Sequence, residues 1–243
     1  MVSSMASAAI TWNAWSVHGG EYAISQDGSS MTFAAQPLSD YNWYLGDVEY
    51  AAKKGMKTFG TTGYFDGSQV SALTKMQFNY TIDSLTSPTI NILVYDNAGK
   101  HAILGITALN APDVSTNIGG GLRSYTYNFG GWADTVSVRL YENTGLLGGA
   151  ATATWGQIKN LYIGQGGYAG EQAPEGGWAA WSSNYTDGIA LIWGDTAAST
   201  PRDTHPITVS NLVLNDTLTA NFVPEPATMA ILALGGLMLR RKK

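Results

Sequence analysis

The chain has 243 residues, of which 13% are charged, and a formal net charge of −5 at pH 7. Residues 9–222 hold nine Lys or Arg against seventeen Asp or Glu, so this part lacks the clustered basic charge that nucleic-acid binding requires. The absence of cysteine excludes disulfides, cysteine-ligated metals and thiol nucleophiles. With 29 Gly, 8 Trp and 13 Tyr, the composition is typical of a β-rich globular protein.

The first residues carry the pattern of a signal-peptidase cleavage site. Ala6-Ser7-Ala8 matches the small-x-small pattern of such a site. The basic and apolar segments of a complete signal peptide do not stand before it. We therefore expect residues 1–8 to be the remnant of a longer signal peptide, with a body over residues 9–222. The alternative is an ordinary N-terminus rich in small residues.

Alternating apolar and polar residues predict strands through the first half of the body. Asp27-Gly28 lies between two short alternating segments and predicts a hairpin, and Asp96-Asn97-Ala98-Gly99 predicts another. The strands of these hairpins are predicted at 22–24, 31–33, 89–95 and 101–106. A strand with one buried face is predicted from Met76, Phe78, Tyr80 and Ile82.

The second half continues the same pattern. Tyr125, Tyr127 and Phe129 predict a strand, Gly130-Gly131 a turn, and Val136, Val138 and Leu140 the returning strand. Later strands are predicted at Ile158–Ile163, Gly188–Trp193 and Ile207–Leu214, with a long glycine-rich loop over 164–177. About ten such strands without helical periodicity predict an all-β fold, an antiparallel β-sandwich that is jelly-roll-like. A β-helix is the alternative, disfavoured because no fixed repeat is present.

Candidate catalytic groups are few in this body. His18, His101 and His205 are scattered without metal-ligand spacing, and we interpret them as surface or turn residues. The carboxyl pairs Asp47 with Glu49 and Glu171 with Glu175 do not form a recognisable glycosidase motif, and we interpret them as solvated acids. We therefore expect no catalytic residues and no enzymatic activity.

No cofactor is predicted, although a structural calcium ion is an open alternative. Calcium is bound by six to eight oxygen atoms, and predicted turns supply candidates. These are Asp96, Asn97, Asp113, Asp187 and Asp195. The same residue types also favour turns through bonds to their own backbone, so the metal ligands remain unknown.

Aromatic residues in a polar loop are the candidates for binding. Trp178, Trp181 and Tyr185 lie among Gly, Ser and Asn residues, where their flat faces could stack on sugar rings. Trp155 and Trp193 lie in strand-like segments and are assigned to core packing.

The C-terminus has three parts: the motif Pro224-Glu225-Pro226, an apolar run over 227–239, and the basic residues Arg240, Arg241, Lys242 and Lys243. We expect the two prolines to end any preceding strand. As a helix the run would span about 20 Å, against about 30 Å for the hydrocarbon core of a bilayer. It is therefore a marginal anchor. The basic cluster should stay cytoplasmic, which places the body across the membrane.

This C-terminal tail, residues 223–243, resembles the PEP-CTERM sorting signal in the order of motif, short apolar helix and basic stop. The resemblance implies processing by an exosortase, a membrane-embedded enzyme of Gram-negative bacteria. It also implies transient anchoring in the inner membrane and transfer to the cell surface or extracellular matrix. Such genes tend to occur in bacteria that make exopolysaccharide.

The sequence thus leaves three functions open. The first is a non-enzymatic envelope or matrix protein that binds polysaccharide. The second is a glycan-active hydrolase or lyase on a jelly-roll fold. The third is a structural surface or biofilm component without a small ligand.

Overall fold

The structure is a computed structural model that describes residues 8–14, 22–33, 57–81, 88–107, 113–141, 143–164, 187–193 and 206–224. Fifteen strands lie within these ranges. The first eight are β1 (Ala8–Ala14), β2 (Tyr22–Ile24), β3 (Ser30–Phe33), β4 (Lys57–Thr62), β5 (Met76–Thr81), β6 (Thr89–Tyr95), β7 (His101–Thr107) and β8 (Val114–Gly119). The others are β9 (Leu122–Tyr127), β10 (Ser137–Tyr141), β11 (Thr152–Thr154), β12 (Tyr162–Ile163), β13 (Ile189–Trp193), β14 (Ile207–Leu214) and β15 (Leu218–Pro224).

The strands form one hydrogen-bonded order, β11-β10-β7-β6-β13-β4-β1-β15-β14-β5-β9-β8. Strand β12 pairs with β6, while β3 pairs with both β2 and β14. The pairs are antiparallel except for β1 with β15, which run parallel from Ala8 opposite Leu218 to Ala14 opposite Pro224. The fold is therefore mostly β with mixed pairing, and within the described residues the order does not close into a barrel.

Alternation along the strands builds a single apolar core. In β5, Met76, Phe78 and Tyr80 are buried while the residues between them are half-buried. Phe78 stacks on Tyr127, and Phe129 stacks on Trp155 beyond β11. These stacked aromatic rings come from elements near both ends of the strand order.

Several predicted elements are confirmed. Both hairpins form, β2 with β3 and β6 with β7, and β14 spans the predicted Ile207–Leu214. Trp155 is buried, as predicted for core packing. For Trp193 the structure describes the strand β13 but not the burial of the side chain.

The predicted strand at Ile158–Ile163 is confirmed only at its last two residues, which form β12. Its first residue, Ile158, instead ends a four-residue helix, α1 (Trp155–Ile158). The helix forms because Thr154 and Gln157 make a capping box, in which the Thr154 N–H donates to Gln157 Oε1 at 2.8 Å. Within the described residues, no helix is long and apolar enough to cross a membrane.

Three further expectations need correction. Strand β9 ends at Tyr127, and Phe129 begins a 3₁₀ turn instead of extending the strand. His101 is buried rather than a surface residue, and its Nδ1 lies 3.0 Å from the Thr144 hydroxyl. Pro224 does not stand outside the last strand, since β15 runs through it.

Candidate functional site

Most of the site residues predicted from sequence lie outside the described residues. These include the loop aromatics Trp178, Trp181 and Tyr185, the residues Glu225 and Pro226, and the basic stop Arg240, Arg241, Lys242 and Lys243. The same holds for both carboxyl pairs, for Asp195 and for the apolar run. Pro224 is described, and its backbone is the last position of β15.

The structure therefore describes the junction between the body and the sorting motif up to Pro224, the first residue of the motif. Leu218, Ala220 and Phe222 of β15 are buried, and the Phe222 ring meets Trp12 of β1 edge to face at 6.5 Å. The Phe222 N–H also donates to the Gly28 carbonyl at 2.9 Å. The motif thus begins directly where a core strand ends, with no described linker between the two.

Two carboxyl groups meet at the end of the sheet where β4 ends and β13 begins. A Cβ atom placed on Gly63 would lie 2.9 Å from Asp187 Oδ1 and 3.0 Å from Asp66 Oδ2. One oxygen of each carboxyl group therefore borders the space that a side chain at position 63 would fill. The sequence analysis named Asp187 as one candidate calcium ligand but did not single out Asp66, which is followed directly by Gly67.

The two carboxyls sit in different environments. The Gly188 N–H donates to Asp66 Oδ1 at 2.8 Å, and Asn13 Nδ2 donates to Asp187 Oδ2 at 2.9 Å. Burial, with a smaller contribution from the charge of Asp187, raises the pKa of Asp66 to about 7, although the Gly188 bond acts to lower it. Asp66 can therefore hold a proton near neutral pH, although the residue as a whole is exposed to solvent.

Two of the other calcium candidates, Asp96 and Asp113, accept hydrogen bonds from groups of the fold itself. Asp96 Oδ1 accepts bonds from the N–H groups of Ala98 and Lys100 and so closes the hairpin turn. Asp113 accepts from the Asn128 N–H and from Trp132 Nε1. Among the described residues, no group of three or more His, Asp or Glu side chains is arranged to hold a metal ion.

A second surface feature is an uncharged face on one end of the strand order. The solvent side of β3, β14, β5, β9 and β8 carries no charged residue, and apart from apolar residues such as Val114 and Leu122 it carries many hydroxyl and amide groups. These polar positions include Thr32, Asn79, Thr116, Ser124, Thr208 and Ser210. Thr32 and Thr208 are linked through their hydroxyls at 2.9 Å. This neutral face, as we call it, offers donors and acceptors without net charge.

Comparison with known proteins identifies the C-terminal segment. Residues 222–242 match the family model of the PEP-CTERM protein-sorting motif, in agreement with the resemblance of the tail. Neither a curated protein nor a solved structure matches the chain. The chain therefore carries a PEP-CTERM protein-sorting motif at its C-terminal position, and this motif indicates export toward the cell surface.

Proposed function

We propose that this chain is a non-enzymatic envelope or matrix protein that an exosortase processes and whose body binds polysaccharide. The carrying observation is the match of residues 222–242 to the sorting motif, which begins within the core strand β15. In this proposal the body is a two-layered sandwich with jelly-roll-like connections. The apolar run after the motif is the transient inner-membrane helix of a Gram-negative host.

The neutral face supports a polysaccharide as the ligand of the body. Sugar hydroxyls pair with amide and hydroxyl side chains without requiring charge, and Asn79, Ser124 and Ser210 lie in one row across three strands. Flat aromatic groups supply the stacking area, and Trp178, Trp181 and Tyr185 remain the proposed source. An aromatic contact adds about 0.5–1.5 kcal/mol beyond its buried area, so we expect weak binding that strengthens when many copies act together.

Retention on insoluble polysaccharides tests the ligand. We expect the wild-type chain to be retained and the Trp178→Ala, Trp181→Ala double variant to be released. An Asn79→Ala, Ser124→Ala double variant measures the neutral face separately. Failure of the wild-type chain to bind any polysaccharide would favour the third function, a structural component without a small ligand.

A glycan-active hydrolase or lyase is the second candidate, and the neighbouring carboxyls of Asp66 and Asp187 favour it. General acid catalysis on a glycosidic bond uses a carboxyl group with a raised pKa together with a second carboxyl group. The test is release of reducing sugar or of unsaturated product. Activity that is lost in both Asp66→Asn and Asp187→Asn, and kept in the turn variant Asp96→Asn, would establish the enzyme. Absence of activity across polysaccharide classes supports the non-enzymatic proposal.

A further inference from the structure

The residues that lead into the sorting motif have a neighbour on each side. On one side they pair with β1 in parallel, as far as Pro224 opposite Ala14. On the other side the Phe222 N–H donates to the Gly28 carbonyl in the turn between β2 and β3, at 2.9 Å. The end of β15 is therefore enclosed between β1 and this turn.

Side chains also hold the end of β15 in place. Phe222 is buried and meets the ring of Trp12 edge to face. A Cβ atom on Gly28 would overlap the side chain of Asn221 and lie 3.3 Å from the Phe222 carbonyl oxygen, so the turn contacts β15 closely. Detachment of the strand end must break these contacts and expose Phe222, so the attached state is the populated one.

Little chain separates this strand from the apolar run. Strand β15 ends at Pro224, and only Glu225 and Pro226 stand before the run that starts at 227. Two extended residues span about 7 Å. While the proposed helix anchors the chain, a body with β15 attached would lie almost against the bilayer. An enzyme in the membrane would then find no free chain on the body side of the motif.

We propose that the folded body restricts its own processing, because exosortase binds the motif only while residues 222–224 are detached from β1 and from the turn at Gly28. This inference rests on the proposed processing by exosortase. Partners that recognise an extended peptide use its main-chain hydrogen-bonding groups, and the Phe222 N–H is already bonded within the fold. Processing therefore precedes the attachment of this strand end, and the attached body is a poor substrate until it opens locally.

A disulfide between β1 and β15 tests whether the strand end must detach. The chain contains no cysteine, and Asn13 lies opposite Val223, at a strand spacing of about 4.8 Å that a disulfide can bridge. The full chain with Asn13→Cys and Val223→Cys is incubated with membranes that contain exosortase. We expect no cleavage of the oxidised chain and cleavage at the wild-type rate after reduction. The control Ala9→Cys, Thr219→Cys joins the same strands far from the motif and should be cleaved in both states.

A spacer between body and motif tests whether the disulfide acts through the strand end. Six Gly and Ser residues inserted between Val223 and Pro224 add about 20 Å of extended chain. With this spacer, the chain carrying Asn13→Cys and Val223→Cys should be cleaved whether it is oxidised or reduced, because the motif now lies clear of β15.

Gly28 allows the opposite change, a looser strand end. Gly28→Ala should raise the initial rate of cleavage severalfold, since the added methyl group displaces β15. Gly99→Ala is the matched control, because its φ of +75° resembles the +69° of Gly28 but its Cβ would meet no atom within 4 Å. It should leave the rate unchanged.

Equal cleavage of the oxidised and reduced chains with Asn13→Cys and Val223→Cys would overturn the proposal and leave exosortase processing intact. The same holds if the oxidised chain with the spacer stays uncleaved, or if Gly28→Ala is cleaved no faster than Gly99→Ala. A wild-type chain that is never cleaved would overturn both this proposal and the proposed processing.

Discussion

Ala14 and Pro224 lie opposite each other at the last position of the parallel pair formed by β1 and β15. The first residue of the Pro-Glu-Pro motif is therefore part of a strand that belongs to the body. This arrangement ties the signal to the folded core, because β15 also contributes Leu218 and Phe222 to that core. The sorting motif and the folded core consequently share strand β15.

The shared strand predicts where the chain can be shortened. A chain that ends after Pro224 keeps β15 and should unfold cooperatively, near the melting temperature of the longer chain. A chain that ends after Asn215 loses Leu218, Ala220 and Phe222 from the core, and each large apolar side chain contributes about 1.5–3 kcal/mol. We expect the shorter chain to lose its cooperative transition. Thermal melts followed by circular dichroism measure both, and equal melts would contradict the role given to β15.

Asn91 predicts a stabilising substitution. Its side chain is fully buried, and neither amide atom reaches a hydrogen-bond partner within the part of the chain that the structure describes. Asn91→Leu removes this unpaired polar group from the interior and should stabilise the fold by about 1–2 kcal/mol. Asn91→Asp should destabilise it, because a charge would then be buried. Urea denaturation measures the free energy of unfolding of each variant. A destabilised Asn91→Leu variant would indicate that a bound water forms hydrogen bonds with the Asn91 amide.

Gly60 predicts a severe effect of a single methyl group. A Cβ there would lie 2.4 Å from Trp12 Cδ1 and 2.6 Å from the Asn13 carbonyl oxygen, at a φ of +131°. Gly60→Ala should therefore cost about 3 kcal/mol or more, through strain and overpacking together. The control Gly99→Ala also has a positive φ but meets no atom within 4 Å, so it should cost about 1–2 kcal/mol. Similar losses in the two variants would contradict the contact with Trp12.

Asp66 predicts a pH dependence of stability. Its pKa is raised from 3.8 to about 7 in the folded state, so between these values the folded chain holds a proton that the unfolded chain has lost. Stability therefore falls as pH rises through this window. Asp66→Asn cannot ionise but keeps an oxygen for the Gly188 N–H, so its melting temperature should gain on wild type from about pH 4 to about pH 8.

The control for this experiment is Asp27→Asn. Hydrogen bonds from Ser25 and Ser29 lower the pKa of Asp27 to about 2, so its contribution is complete above its unfolded pKa and is lost only in more acidic solution. It should not change the slope between about pH 5 and about pH 8. Parallel slopes for wild type and Asp66→Asn would remove the argument for a proton held by the carboxyl pair.

Sequence alone predicts the elements whose signals are local. Alternation and turn residues locate β5, β14 and the two hairpins, because burial of one strand face and the Asp- and Gly-containing turns act within a few residues. The signal fails where α1 ends, since the apolar residues Ile158, Leu161 and Ile163 suit a strand that would start at Ile158. The bond between Thr154 and Gln157 instead closes a helical turn.

Long-range features are not readable in the same way. The parallel pairing of β1 with β15 joins segments from opposite ends of the body. The residues of either segment alone do not indicate which strand it pairs with. The carboxyl pair shows the same limit, since Asp66 and Asp187 meet only because β4 and β13 are neighbours and Gly63 leaves room between them. The sorting motif can be identified from the sequence because it is defined by consecutive residues, so its identification requires no knowledge of the fold.

The central claim, that an exosortase processes this chain through its C-terminal motif, is tested by replacing Pro224, Glu225 and Pro226 with alanine. In an exosortase-bearing host, membrane fractionation and intact mass of the product measure the outcome. The double variant Pro224→Glu, Glu225→Pro permutes the motif at constant composition, and it should also stay uncleaved. We predict that wild type is cleaved near the motif and released, while the alanine variant stays uncleaved in the inner membrane. Normal cleavage and release of the alanine variant would contradict the account.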